Sequence, residues 1–420
     1  QIVASNITVN GISLRYTDAT PANLRAPVSA TGSFSPVTVP PLLPNTGNPG
    51  YFAGPAAGHT AIAGTVYGSP DGASGIVPDG TFGPVIYPGT TQRSFVFTDG
   101  AGNVLYAPTA GLVPNDGNAI TAAEARALMT SALNVAYAGR AQIRIPTNSF
   151  IEVTVTVVDL DGNVLAQART PDAPVFGADV SRQKARSAVF FSRTDAAAMI
   201  NNNKAPSVST GPPNGFGTFS DYITRSQALV EPTVFSDGIA WSEVAVGDIS
   251  RPFFPDGIDG NPPGSLSVPF SRFSLFSTGL QIDLVAADVL NGILTGQRPA
   301  QGCAFIGAIP GSGPLPDLVP GTVLPPLSGG KTLLADGLQI FSGGFPIYRG
   351  GELVGGIGVS GDGIQQDSMI GFLGIQNGPS TLNNPPVQLR VDQFAPQGIH
   401  FRYVNCPAAP FLTTDIQNPC

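Results

Sequence analysis

The reading turns on residues 151–165, Ile151-Glu152-Val153-Thr154-Val155-Thr156-Val157-Val158-Asp159-Leu160-Asp161-Gly162-Asn163-Val164-Leu165. Apolar Ile151, Val153, Val155 and Val157 alternate with Glu152, Thr154 and Thr156, the period-2 pattern of a half-buried strand. Asp161-Gly162 is a hairpin signal, and Val164 and Leu165 begin the returning strand.

Helices flank this hairpin on both sides. Upstream, Thr121 and Glu124 form a capping box, and Ala125, Leu128, Met129, Ala132, Leu133 and Ala136 follow helical spacing until Gly139. Downstream, past the turn at Pro171-Asp172-Ala173-Pro174, Asp179 to Phe191 reads as a helix with an acidic start, followed by an alanine-rich turn at 196–200. An earlier hairpin sets Phe95-Val96-Phe97 against Val104-Leu105-Tyr106.

Pattern fades over 201–332, where Gly, Pro, Ser and Asn dominate and Phe253, Phe254, Phe270, Phe273 and Phe276 sit among turns. A stretch this long and aromatic reads as a folded insertion and not a linker. Pattern returns with Leu338 to Phe341, a Gly343-Gly344 turn, Phe345 to Tyr348, a tip at Gly350-Gly351, the strand Leu353 to Val359 and a helix carrying Met369, Phe372 and Leu373.

These elements predict an α+β fold in five parts. A β-rich or extended region covers 1–92, the domain's first half 93–200, the insertion 201–332, its second half 333–378 and an irregular tail 379–420.

Composition narrows the function classes. Charged residues are 11% of the 420, against about 25% in average soluble domains. The formal net charge is −8 and Lys plus Arg number only 20, which speaks against nucleic acid, whose binders carry dense basic patches. No run approaches the ~18 apolar residues of a membrane span. The chain opens at Gln1 with no charged or apolar leader, so the expectation is an extracytoplasmic protein, secreted or on the cell surface, whose signal peptide has been removed.

Cysteines are three, Cys303, Cys406 and Cys420. They lack the spacing of a zinc site, a redox motif or a haem attachment, so one disulfide of open pairing plus one odd thiol is expected.

Two blocks then stand out together. Val155 to Leu165, with Asp159 and Gly162, leads to Ser181-Arg182-Gln183-Lys184-Ala185-Arg186-Ser187-Ala188. Phe341-Ser342-Gly343-Gly344-Phe345-Pro346 leads to Gly355-Gly356-Ile357-Gly358-Val359-Ser360-Gly361, with Gln366 and Asp367 following. In this order and context they resemble the GlcG/HbpS-like haem-binding family, related to the C-terminal domains of PduO proteins. The resemblance implies one antiparallel sheet flanked by helices, here split by the insertion, in a domain that assembles into oligomers and in some members binds haem.

Each candidate site has a plainer reading beside it. Gly356 to Gly361 fits G-x-G-x-x-G, but without a βαβ unit or the later acidic residue it reads as a tight glycine turn. Haem needs a His, Cys, Met or Tyr ligand, and the two histidines, His59 and His400, lie outside both blocks. They also leave little to build a Ser-His-Asp triad from, so no acid, base or nucleophile set emerges. Arg182 and Arg186, on one basic helix with Lys184, face Asp367 or Glu352 in salt bridges or bind propionates. Asp256, Asp259 and Asn261 on a glycine-bent loop offer oxygen ligands for calcium or form Asx turns.

Two smaller signals complete the reading. The frame Asp99-x-x-Gly102-Asn103-Val104-Leu105 echoes the hairpin turn at 159–165, through duplication or hairpin convergence. Asn6-Ile7-Thr8 matches a glycosylation site within a strand-like segment able to join a neighbouring sheet edge.

The function expected is a secreted, non-catalytic protein binding haem or a similar small tetrapyrrole-class ligand. The alternative is a structural subunit of an extracellular homo-oligomer or filament assembled through its N-terminal strand.

Overall fold

A computed structural model describes residues 8–9, 12–13, 76–78, 94–97, 104–114, 116–211, 216–255, 263–268, 278–295, 304–306, 333–394 and 396–420. The chain divides into two compact units, Gln1–Tyr67 and Gly68–Cys420. In the first, β1 (Thr8–Val9) pairs antiparallel with β2 (Ile12–Ser13).

The second unit holds an antiparallel sheet flanked by helices, an α+β fold. Its strands are β3 (Ile76–Pro78), β4 (Phe95–Phe97), β5 (Val153–Asp159) and β6 (Val164–Arg169), with β9 (Gly344–Arg349) and β10 (Glu352–Gly361) returning after the long excursion. In space they lie in the order β3-β4-β6-β5-β10-β9. The two family-like blocks therefore meet at the sheet's centre, where β10 pairs with β5 from Gly355↔Asp159 to Gly361↔Val153.

Helix α1 (Ala122–Ala138) starts at the capping box, with the Glu124 amide donating to Thr121 Oγ1 at 3.2 Å and the Thr121 amide to Glu124 Oε2 at 2.8 Å. Gly139 is its C-cap. Helix α2 (Gly177–Ser192) and the short α3 (Ala196–Asn201) follow β6, so the alanine-rich segment read as a turn is a helix. Its alanines favour helix, and the Met199 amide donates to Asp195 O at 2.9 Å to start it.

Strand β5 corrects the half-buried reading, since all seven of its residues are buried. Helix α1 contacts the sheet at β5 and β6, and α2 at β5, β9 and β10. Thr156, polar in the alternation, is buried against α2, and its hydroxyl meets the Ser181 hydroxyl at 2.7 Å and accepts from Gln167 Nε2 at 2.9 Å. Internal hydrogen bonds make burial of such a side chain tolerable.

The glycine run in β10 is strand and not a turn. A Cβ on Gly358 would stand 1.9 Å from the Ser181 carbonyl oxygen, and one on Gly356 would stand 2.7 Å from that of Ala185. These positions lack side chains because α2 lies against the sheet there, with no room even for a methyl group.

Between the halves, 201–332 contains a small pair β7 (Pro206–Ser207) and β8 (Gly217–Thr218) with helices α4 (Ser220–Leu229), α5 (Glu243–Ile249) and α6 (Gly279–Thr295). Helix α7 (Ile364–Gln376) follows β10. One continuous apolar core joins these helices to the sheet. Aromatic contacts carry it outward, from Phe191 to Phe235 at 5.0 Å, to Trp241 at 5.1 Å and to Phe401 in the tail at 5.5 Å. The tail is irregular but packed: the Arg140 amide donates to Pro410 O at 2.8 Å and the Leu412 amide to Ala138 O at 2.9 Å. Cys406 and Cys420 form a disulfide, whereas Cys303 lies outside the described residues.

Candidate functional site

The family-like residues converge on a buried charged centre. Lys184 on α2 reaches Asp367 Oδ2 on α7 at 2.9 Å and donates to the Val359 carbonyl of β10 at 2.9 Å. Both side chains are almost fully buried, at 1% and 3% exposure. Gly343 and Gly344 make room for them: a Cβ on Gly343 would lie 3.0 Å from Lys184 Nζ, and one on Gly344 would lie 2.3 Å from the Lys184 carbonyl oxygen. Burial pushes the Asp367 carboxyl up to about 6, against the downward pull of Lys184.

A second carboxyl joins this centre. Glu243, at the start of α5, is fully buried, and a Cβ on Gly344 would be 2.4 Å from its Cγ. Among the described residues neither carboxyl oxygen has a hydrogen-bond partner. Burial, outweighing the attraction of Lys184, holds this group well above the usual carboxylate range. The sequence hid Glu243 as the one acid in Trp241-Ser242-Glu243-Val244-Ala245-Val246, a run that is apolar apart from it and Ser242, and that isolation was the available signal.

The remaining motif residues are architectural. Asp159 Oδ1 accepts from the Asp161 and Asn163 amides at 3.0 and 2.9 Å, fixing the turn at which Gly162 has φ +79°. Pro346 pairs with Gly356 across β9 and β10. A Cβ on Gly361 would stand 2.1 Å from Glu152 O, Ser360 is buried, and Gln366 Nε2 donates to the Arg140 carbonyl.

Arg182 and Arg186 do share a surface, with acidic partners other than those expected. Arg186 meets Asp336 at 2.8 Å and donates to Gly162 O at 2.8 Å, while Arg182 pairs with Asp179 and lies 3.8 Å from Asp336. Asp367 is held by Lys184, and Glu352 accepts from Asn118 Nδ2 at 2.9 Å. His400 is exposed. His59 and the Asp256, Asp259 and Asn261 loop lie outside the described residues. Among the described residues no group of three or more His, Cys, Asp or Glu is placed to hold a metal ion, and no helix is long and apolar enough to cross a membrane.

An open cleft of about 640 Å³ lies at the tip of the paired hairpins. Leu160 comes from the β5–β6 turn, Leu353 from the start of β10, Leu389 from the tail and Val113 from the approach to α1. All four are half-buried. Tyr348 of β9 also lines the cleft, 1% exposed, and its hydroxyl has no hydrogen-bond partner among the described residues.

The polar wall comes from the α2–α3 junction. Arg193 is gripped by both oxygens of Asp195 at 2.7 Å, donates to Leu160 O at 2.9 Å and lies 3.9 Å from Asp161. The Arg193 guanidinium is raised above its ordinary range, with the Asp195 hydrogen bonds as the largest cause. Asp237 adds another carboxylate. Sequence reasoning missed this cleft, because its walls come from turns and junctions that are distant along the chain. Leu160 and Leu353, apolar residues beside tight turns, were the visible signal.

In comparisons with known proteins, no curated protein matches the chain. The model of the family described as haem degrading protein HbpS-like matches residues 120–232 and 302–376. Those segments contain the Lys184–Asp367 pair and β5, β6, β9 and β10, and they leave out the Glu243 helix. The two segments fold as a single split domain, and that domain, a little under half of the chain, is similar to the HbpS-like family.

Proposed function

We propose that this chain is a non-catalytic binding protein, working outside the cytoplasm, whose small ligand sits in the cleft between the hairpin tips. The observation that carries the reading is the cleft itself: about 640 Å³, apolar side chains from four separate segments and an unpartnered phenol in its wall. Ligand sites commonly have this size, and here the four apolar side chains stand beside a polar wall that includes Asp161, Arg193, Asp195 and Asp237. One hydroxyl of the lining, Ser192, is committed elsewhere, donating to Ala188 O at 2.7 Å and accepting from the Trp241 amide at 2.9 Å. The Cys406–Cys420 disulfide supports an oxidising compartment.

The family is haem-related, and the lining meets haem's chemistry only in part. Its leucines suit an apolar ring, and Tyr348 is of a residue type that ligates haem iron. Haem's carboxylates, however, would face Asp161, Asp195 and Asp237 with only Arg193 opposing, and that guanidinium is already held by Asp195. This lining does not fit a dianionic edge.

The test is native mass spectrometry of protein purified from its source, beside a Leu353→Trp variant that fills the cleft. The expected result is a copurifying small molecule that the variant loses. If the native protein carries nothing, and titration with haemin, phenethylammonium and 3-phenylpropionate gives no binding that Leu353→Trp abolishes, the binding reading is overturned.

One observation favours the assembly reading as well: Gln1–Tyr67 forms its own compact unit and contains a strand pair. Electron microscopy of the full chain and of a chain lacking residues 1–16 tests it. Ordered assemblies lost on deletion support it, and a monomer in both overturns it.

A further inference from the structure

The charge of the cleft says which class of ligand it takes, an inference that rests on the binding reading above. Asp161, Asp195 and Asp237 stand around it against one guanidinium, Arg193. The chelating contact from Asp195 satisfies that guanidinium, so the surplus negative charge lies towards Asp237.

Asp237 is exposed, and its Oδ1 accepts from the Ile239 amide at 2.9 Å. Its side-chain neighbour is Glu231, whose carboxyl is pushed up first by burial and then by Asp237. Among the described residues no salt bridge neutralises either group. Two carboxyls placed together without a counter-ion favour an incoming positive charge.

A second, independent observation points the same way. Tyr348 is 1% exposed, lines the cleft and leaves its hydroxyl unpartnered, and Asp237 is close enough to raise the phenol further above its ordinary range after burial has done so. The unpartnered phenol oxygen has a free acceptor site, and an N–H group of a cation held at Asp237 is a donor of the kind that would satisfy it. The leucines across the cleft provide for an apolar body.

We propose that the ligand of this cleft is a small organic cation, an ammonium or guanidinium carried on an apolar body. Its charged head is received by Asp237 and Tyr348, and its body lies against Leu160, Leu353 and Leu389. Although the domain is similar to a haem-related family, the cleft selects against the dianionic edge of a tetrapyrrole.

Calorimetric titration of the full chain with three probes tests this: phenethylammonium, its anionic counterpart 3-phenylpropionate, and haemin. The expected result is binding of phenethylammonium alone, weakened about tenfold in Asp237→Asn, the size of one partly desolvated charge pair, and abolished in Leu353→Trp. Asn retains an acceptor for the Ile239 amide, so this variant preserves the loop. If 3-phenylpropionate or haemin binds and Leu353→Trp abolishes it while phenethylammonium does not bind, the cleft is a binding site and the cation inference is wrong. If none of the three binds, and no small molecule copurifies with the native protein, the cleft reading fails and the inference falls with it. Phenethylammonium binding that ignores both substitutions also overturns the inference.

Discussion

The carbonyl oxygen of Ser181 and the α-carbon of Gly358 are so close that a β-carbon on the latter would stand 1.9 Å from the former. Helix and strand meet backbone to backbone here, and neither can yield locally.

Gly358→Ala is therefore expected to cost about 3 kcal/mol, the upper part of the range for forcing extra volume into a packed core. Urea denaturation reads this directly. A change under about 0.5 kcal/mol, the size of an ordinary surface substitution, would show that α2 lifts freely from the sheet.

Lys184→Met leaves Asp367 buried without its counter-ion, a loss of about 3–5 kcal/mol. Adding Asp367→Asn should recover part of that loss, because the uncompensated charge disappears. A double variant no more stable than Lys184→Met alone would remove the ion pair from the account.

Asp367 also sets a pH dependence. Its carboxyl stands at about 6 in the fold against an ordinary 3.8, raised by burial in opposition to Lys184. The fold thus holds the proton more tightly than the unfolded chain, and the contribution is fully present below 3.8 and lost as pH rises through about 6. The melting temperature of the native chain, relative to Asp367→Asn, should fall across that window. A constant difference would contradict the assignment.

Glu124 works in the opposite direction. Burial pushes its carboxyl up, but hydrogen bonds from Arg349, Thr121 and Thr381 outweigh this and hold it at about 2, below the ordinary 4.5. Its contribution is present above 4.5 and lost as pH falls through about 2. Glu124→Gln should remove that acid limb in circular dichroism, and Thr121→Ala should cost about 1 kcal/mol through the lost cap.

Cys406 and Cys420 are separated by 14 residues, and closing a loop of that size is worth about 3 kcal/mol. Cys406→Ser should lower stability by about that amount under non-reducing conditions. A change absent from equilibrium unfolding would mean that the tail frays without consequence for the core.

Much of the domain was legible because its strands and first helix carry their own signals. The alternation of Val153, Val155 and Val157 and the cap at Thr121 each specify local geometry. Contacts distant along the chain were not legible. Nothing around Glu243 says that it will lie against Gly344, and nothing near Asp336 says that it will meet Arg186. The glycines of β10 were visible, but their cause was not, because the close approach belongs to a helix more than 150 residues earlier. The cleft was the least legible part, built from single residues at turns whose spatial neighbours only the fold decides.

The aromatic chain from Phe191 through Trp241 to Phe401 also bears on how the molecule is made. Its last ring comes some two hundred residues after its first, and Tyr403 beside it is buried against Phe345 at 5.7 Å. A nascent chain emerging from its amino end cannot close this interior until Phe401 and Tyr403 have appeared. For most of its synthesis the polypeptide lacks these contacts, so this part of the interior closes only once the tail has joined it.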